Sequence, residues 1–135
     1  MTRLLTSTLF ILLFAFQATA QETKDQHLLD GTSMDYYYQD GGGVHAEFKD
    51  GQFNFQWILG PNKGATGSCA YRSKKIGDKL YFVNFLYKPS AAFVSIVFNF
   101  NENVISTSAL IGAGTQNETI IFEGGIIEHL QLKES

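Results

Sequence analysis

The stretch Asp35–Trp57, DYYYQDGGGVHAEFKDGQFNFQW, packs three short strand-like runs into 23 residues. Asp40-Gly41-Gly42-Gly43 separates the first from the second, and Asp50-Gly51 separates the second from the third. In the third run Phe53, Phe55 and Trp57 alternate with Asn54, Gln56 and Ile58, the period of a strand with one apolar face. Asp-Gly between alternating runs is a strong hairpin signal, because a two-residue type I′ turn needs both residues at positive φ. The block therefore announces an antiparallel β protein.

Outward from it, strand-like runs recur about every ten residues. Ser33–Gln39, Val44–Lys49 and Gln52–Leu59 are followed by a Gly60-Pro61-Asn62-Lys63-Gly64 loop and by Thr66–Ser73. Ile76-Gly77-Asp78 turns the chain into Lys79–Tyr87, and Lys88-Pro89-Ser90 leads to Phe93–Phe100. Val104–Ile111, Glu118–Glu123 and Ile126–Leu132 complete the set, the last two divided by Gly124-Gly125. No long helical pattern interrupts them. Strands at this spacing indicate a sandwich or an up-and-down barrel, and short sequential turns favour a meander, so the expected fold is all-β, a single antiparallel up-and-down barrel of 8–9 strands. The fifth and sixth runs are apolar on both faces, which a half-solvated sheet is not. A hollow apolar lumen with an outside covered by a terminal segment or partner accounts for this, and so does a filled barrel with aromatic girdles.

Residues 1–20 carry Arg3, the apolar run Leu9–Phe16 and an Ala18-Thr19-Ala20 cleavage pattern. This reads as a secretory signal peptide cut after Ala20, giving an exported product, periplasmic or extracellular. The apolar run is too short to span a bilayer, which takes about 20 residues. Residues 21–30 read as a flexible lead-in and 31–135 as one barrel domain. Removing Arg3 from 10 basic residues leaves 9 against 13 acidic ones, a formal charge of −4. That balance disfavours nucleic acid as a partner. Cys69 is the single cysteine, so no internal disulfide can form, and its small-residue strand points to burial.

Candidate chemistry is sparse. Tyr36 and Tyr38 share one strand face, where two phenols could give an apolar wall two hydrogen-bonding groups, or could simply pack. His45 and Glu47 share a face, but His27 and His129 show no ligand spacing relative to them, so no metal site is expected. No nucleophile triad, phosphate loop or dinucleotide fingerprint is present. Asn117-Glu118-Thr119 matches a glycosylation acceptor, relevant only in a eukaryotic secretory route.

Tyr36-x-Tyr38, the glycine turn, Val44–Phe48, Asp50-Gly51 and Phe53-x-Phe55, with the later strand order, resemble the calycin-like barrel of MoaF-like proteins. More distantly they resemble the phenolic acid decarboxylases. That resemblance implies a lumen in which paired tyrosines hold a carboxylated substrate, with an arginine and a glutamate beside it. By residue order the tyrosines fall on Tyr36 and Tyr38, the arginine near Gln56 and the glutamate near Tyr87, so neither charged group is matched. The resulting expectation is a barrel that binds a small apolar or aromatic molecule, non-catalytic and without cofactor. Tyr36, Tyr38, Gln56, Trp57, Asn84 and Tyr87 are its candidate ligand-binding residues. A cofactor-free lyase or isomerase using Tyr36, Tyr38 and Glu118 or Glu123 is the alternative, followed by an exported partner-binding protein. A homodimer stays open.

Overall fold

The computed structural model describes residues 26–133, so the expected signal peptide and residues 21–25 lie outside it. Eight antiparallel strands close into a barrel in sequence order: β1 Ser33–Tyr38, β2 Gly43–Lys49, β3 Gln52–Leu59, β4 Thr66–Gly77, β5 Leu80–Tyr87, β6 Ala92–Asn99, β7 Val104–Ile111 and β8 Thr119–Gln131. β1 pairs with both β2 and β8, which seals the cylinder. The Asp50-Gly51 hairpin forms as expected, with φ of 52° and 73° and Lys49 facing Gln52 across it. The strand count is eight because Gly124-Gly125 does not divide the last run. Both glycines lie inside β8, and a Cβ on Gly125 would sit 2.5 Å from the Tyr37 carbonyl oxygen of β1. Glycine here serves close strand approach, not a turn. Likewise Ile76 and Gly77 extend β4, and the reversal falls at Asp78-Lys79, where Lys79 has φ of 54°.

Alternation sorts the side chains. Met34 and Tyr36 of β1, Val44, Ala46 and Phe48 of β2, and Phe53 of β3 point inward and are buried. Tyr71, Val83, Phe85, Ile96, Phe98 and Ile105 complete the inner wall from the other strands. The end formed by the β2–β3 hairpin is filled. There the Phe48 ring lies 4.8 Å from Tyr71, 5.2 Å from Phe53 and 5.8 Å from Phe98, centroid to centroid.

The expected loose lead-in is tied down from Gln26 onward. Leu29 is 2% exposed and belongs to the core. The Asp30 carboxylate accepts a hydrogen bond from the Tyr71 hydroxyl at 2.7 Å and from the Gly51 amide at 3.1 Å. The Leu28 amide donates to Ser73 Oγ, which donates in turn to the Gln26 carbonyl. This segment is the floor of the barrel. An apolar side chain and a bonded carboxylate hold it there, and neither shows as a periodic pattern in so short a run.

The outside of β5–β8 remains apolar. Leu86 faces Phe93, Phe93 faces Leu110 and Leu110 faces Ile120, one cross-strand row on the exterior. Phe122 stands beside it at 86% exposed. No described residue covers this belt, so the two-faced pattern of these strands marks a wall that is apolar on both sides. No helix among the described residues is long and apolar enough to cross a membrane.

Candidate functional site

Above the filled floor the barrel is hollow. A cavity of about 460 Å³ opens at the end formed by the last residues of β1, β3, β5 and β7. Its volume falls within the range of small-molecule sites, about 300–1,000 Å³. Seven aromatic side chains line it, among them Tyr36, Tyr38, Trp57 and Tyr87, four of the six candidate residues. Phe53, Phe85 and Ile96 form its base, while Asn62 and Ser90 reach it from the loops at the mouth.

Gln56 and Asn84 are not lumen residues, and this corrects the expectation for both. Gln56 neighbours Trp57 on β3, so alternation turns it outward, where it is exposed. Asn84 neighbours the inward Val83 and Phe85, and its Oδ1 accepts from Arg72 Nε at 3.1 Å on the outer face. Asn84 does border a wider exterior hollow of about 850 Å³ between β4, β5 and Gln26. The lumen is the better-defined site.

A chain of polar groups runs up one side of the lumen. The Tyr38 hydroxyl lies 3.2 Å from Thr107 Oγ1. Thr107 faces Glu123 directly across the β7–β8 pair. Burial raises the Tyr36 phenol well above its ordinary range, and the neighbouring Tyr38 adds to this by charge and hydrogen bonding. Burial likewise raises Tyr38 against the opposing hydrogen bonds from Thr107 and Tyr36. Both phenols therefore stay neutral and serve as hydrogen-bonding groups, not as bases. Partial burial, then the charge of Asp40 and a hydrogen bond with it, hold the Glu123 carboxyl above the usual range.

Thr107 and Asp40 were not candidates from the sequence. Alternation from Ile105 to Ala109 sets Thr107 inward, a legible signal once the strand is placed. Asp40 reads as a turn residue, and its Oδ1 does accept from the Gly42 amide at 3.0 Å. Only the closed barrel brings it to the mouth. A Cβ on Gly42 would lie 3.2 Å from Trp57 Cζ3, 3.4 Å from Asp40 Oδ1 and 3.8 Å from Tyr38 Cδ2. An aromatic edge, a carboxylate and a phenol ring thus converge on one glycine.

On the outside, His45 Nδ1 lies 2.6 Å from Asp35 Oδ1, and His129 Nδ1 lies 3.0 Å from Asp35 Oδ2. His129 adopts φ of 52° at a bulge where three β8 steps match two of β1. No group of three or more metal-ligating side chains among the described residues is arranged to hold an ion. Cys69 is half-buried, and burial pushes its thiol up to about 11, the behaviour of an inert cysteine.

Residues 15–112 match the MoaF N-terminal domain. The chain belongs to that family. The matched segment stops at Gly112, so the closing strand β8 with Glu123 lies beyond it. Among 16 matching chains of solved structures is a crystal structure of a suspected β-lactamase from Burkholderia vietnamiensis. It is 17% identical, has a TM-score of 0.63, and is covered over 93% of its length by 74% of this chain. At that identity the likeness is one of fold. A search of curated proteins found no match. The chain is a small β-barrel of the MoaF-like family, with a hollow upper lumen.

Proposed function

We propose that this chain is an exported carrier or receptor barrel that binds a small apolar or aromatic molecule in its lumen without turning it over. The observation that carries this reading is the half-filled interior. Aromatic packing fills the lower end and Leu29 plugs it, yet about 460 Å³ above stays hollow and lined by rings. A cavity lined mostly by apolar and aromatic groups, with a few convergent hydroxyls, is how small-molecule sites are built. Export rests on the charged start, short apolar run and Ala18-Thr19-Ala20 pattern of residues 1–20.

The lyase alternative has less support. It calls for a tyrosine whose proton is readily lost or a carboxyl held above its usual range inside the barrel, and Glu123 meets only the second condition. Both lumen phenols are pushed the other way. None of the described residues lining the cavity is Lys, Arg or His. Glu118, one of its proposed acids, sits in the β7–β8 loop and accepts from the Gly114 amide at 3.3 Å.

Two measurements test the proposal. Native mass spectrometry of gently purified protein should show a co-purifying small molecule, and the mature mass should begin at Gln21. Titration with the neutral probe N-phenyl-1-naphthylamine should quench Trp57, the single tryptophan, and Trp57→Phe should abolish that signal. No quenching and no displaceable probe would overturn the reading.

A further inference from the structure

The lumen has a sign as well as a shape. Of the side chains that line it, two are carboxyls, Asp40 and Glu123, and none of the described ones is basic. Both carboxyls belong to the upper part of the site. Asp40 lies in the β1–β2 turn at the mouth, and Glu123 lies opposite Thr107. The Asp40 carboxylate is fixed in place, because its Oδ1 accepts from the Gly42 amide. It is held beside the Trp57 ring and the Tyr38 ring, as their common approach to Gly42 shows. The base of the cavity is a different environment, made of Phe53, Phe85, Val44 and Ile96.

A carboxylate-bearing ligand placed here meets the Asp40 and Glu123 carboxyls and no basic side chain among the described lining residues. An alkylamine or arylalkylamine, protonated at pH 7, meets the reverse. Its ammonium group is attracted by both carboxylates and by the faces of electron-rich rings. The neutral Tyr38 and Thr107 hydroxyls can accept from the same group. Resting on the lumen-binding reading above, we propose that this barrel selects cationic amphiphiles: an apolar or aromatic body in the lower lumen and a primary or quaternary ammonium head at the Asp40–Glu123 rim. This departs from what the resemblance to phenolic acid decarboxylases implies, a carboxylated ligand held by Tyr36 and Tyr38.

The test uses three probes with one skeleton: 4-phenylbutylamine, 4-phenylbutan-1-ol and 4-phenylbutanoate. Each is titrated against Trp57 fluorescence at pH 7 and low salt, with calorimetry as a second readout. The expected order is amine, then alcohol, then acid, with the amine at least 10-fold tighter than the acid. The double variant D40N/E123Q should bring the amine-to-alcohol affinity ratio to within about 2-fold of one. An unchanged far-UV circular dichroism spectrum and urea midpoint check that the variant folds. Acid binding as tight as amine binding would overturn the charge selection and leave lumen binding standing. So would an amine preference that survives the double variant. If none of the three probes binds, the lumen reading itself falls and the charge selection falls with it.

Discussion

The Asp30 carboxylate accepts hydrogen bonds from the Tyr71 hydroxyl and the Gly51 amide, and its removal leaves both donors without their partner at the barrel floor. Hydrogen bonds to a charged group contribute about 1.5–3 kcal/mol each. Asp30→Ala is therefore expected to lower stability by about 2–3 kcal/mol, read as a shift in urea midpoint, while Asp30→Asn should recover part of it. On the outside, hydrogen bonds to Asp35 and then Glu47 raise the His45 pKa. A group whose folded pKa is raised stabilises the fold fully below its unfolded value, about 6.5. The contribution is then lost as pH rises through the folded value. Melting temperature should fall across that window, and His45→Gln should flatten the dependence; an unchanged slope in the variant would refute the assignment. At this scale the sequence is legible where the constraint is local. Asp50-Gly51 specified its turn because few residues tolerate positive φ. The role of Asp30 is hidden in the sequence because its partners, Gly51 in the β2–β3 turn and Tyr71 on β4, lie 21 and 41 residues away.

The strands were legible from their alternation, but their ends and their glycines less so. Gly124-Gly125 and Gly77 resemble turn punctuation, yet in a small curved barrel a missing Cβ equally serves close backbone or ring approach. Gly67 is such a case. A Cβ there would clash with the Phe55 ring and lie 2.9 Å from the Tyr87 hydroxyl. These two rings meet edge-to-face at 5.2 Å over it, forming part of the lumen wall. Gly67→Val is expected to cost about 1–3 kcal/mol by overpacking. It should also push both rings into the hollow, so that probe binding at Trp57 weakens more than stability alone requires. Equal probe affinity in a folded Gly67→Val protein would show that the rings yield outward instead. Gln56 and Asn84 belong to this same scale. Each is next to an inward residue on its strand, so alternation turns it out of the lumen, whereas the resemblance to the decarboxylases points Gln56 inward.

For the whole molecule, the fold class was legible and the distribution of filling was not. Two-faced apolar strands are compatible with both a hollow and a packed interior, and this barrel is packed below and hollow above. Two phenylalanines separate the inner and outer walls. Phe53 is buried between Phe48, Phe55 and Phe85, and Phe53→Ala should cost about 3–5 kcal/mol. Phe122 stands on the outer belt, and Phe122→Ser should stay within about 0.5 kcal/mol of wild type. Paired urea melts with unchanged slopes check both. A loss above about 1 kcal/mol at Phe122 would mean that something covers the belt in solution.

The seam between β1 and β8 also sets an order in time. Seven of the eight pairings join strands adjacent in the chain, and these hairpins can form as soon as their own residues meet. The eighth brings Tyr38 to Gly125 across nearly the whole domain. Until it forms, the growing structure is an open curl with two unpaired edges and an uncovered interior. Long-range closure of this kind is slow relative to hairpin formation. The cylinder therefore latches last, and that interval is when the chain is most exposed to mispairing and most easily threaded through a narrow passage.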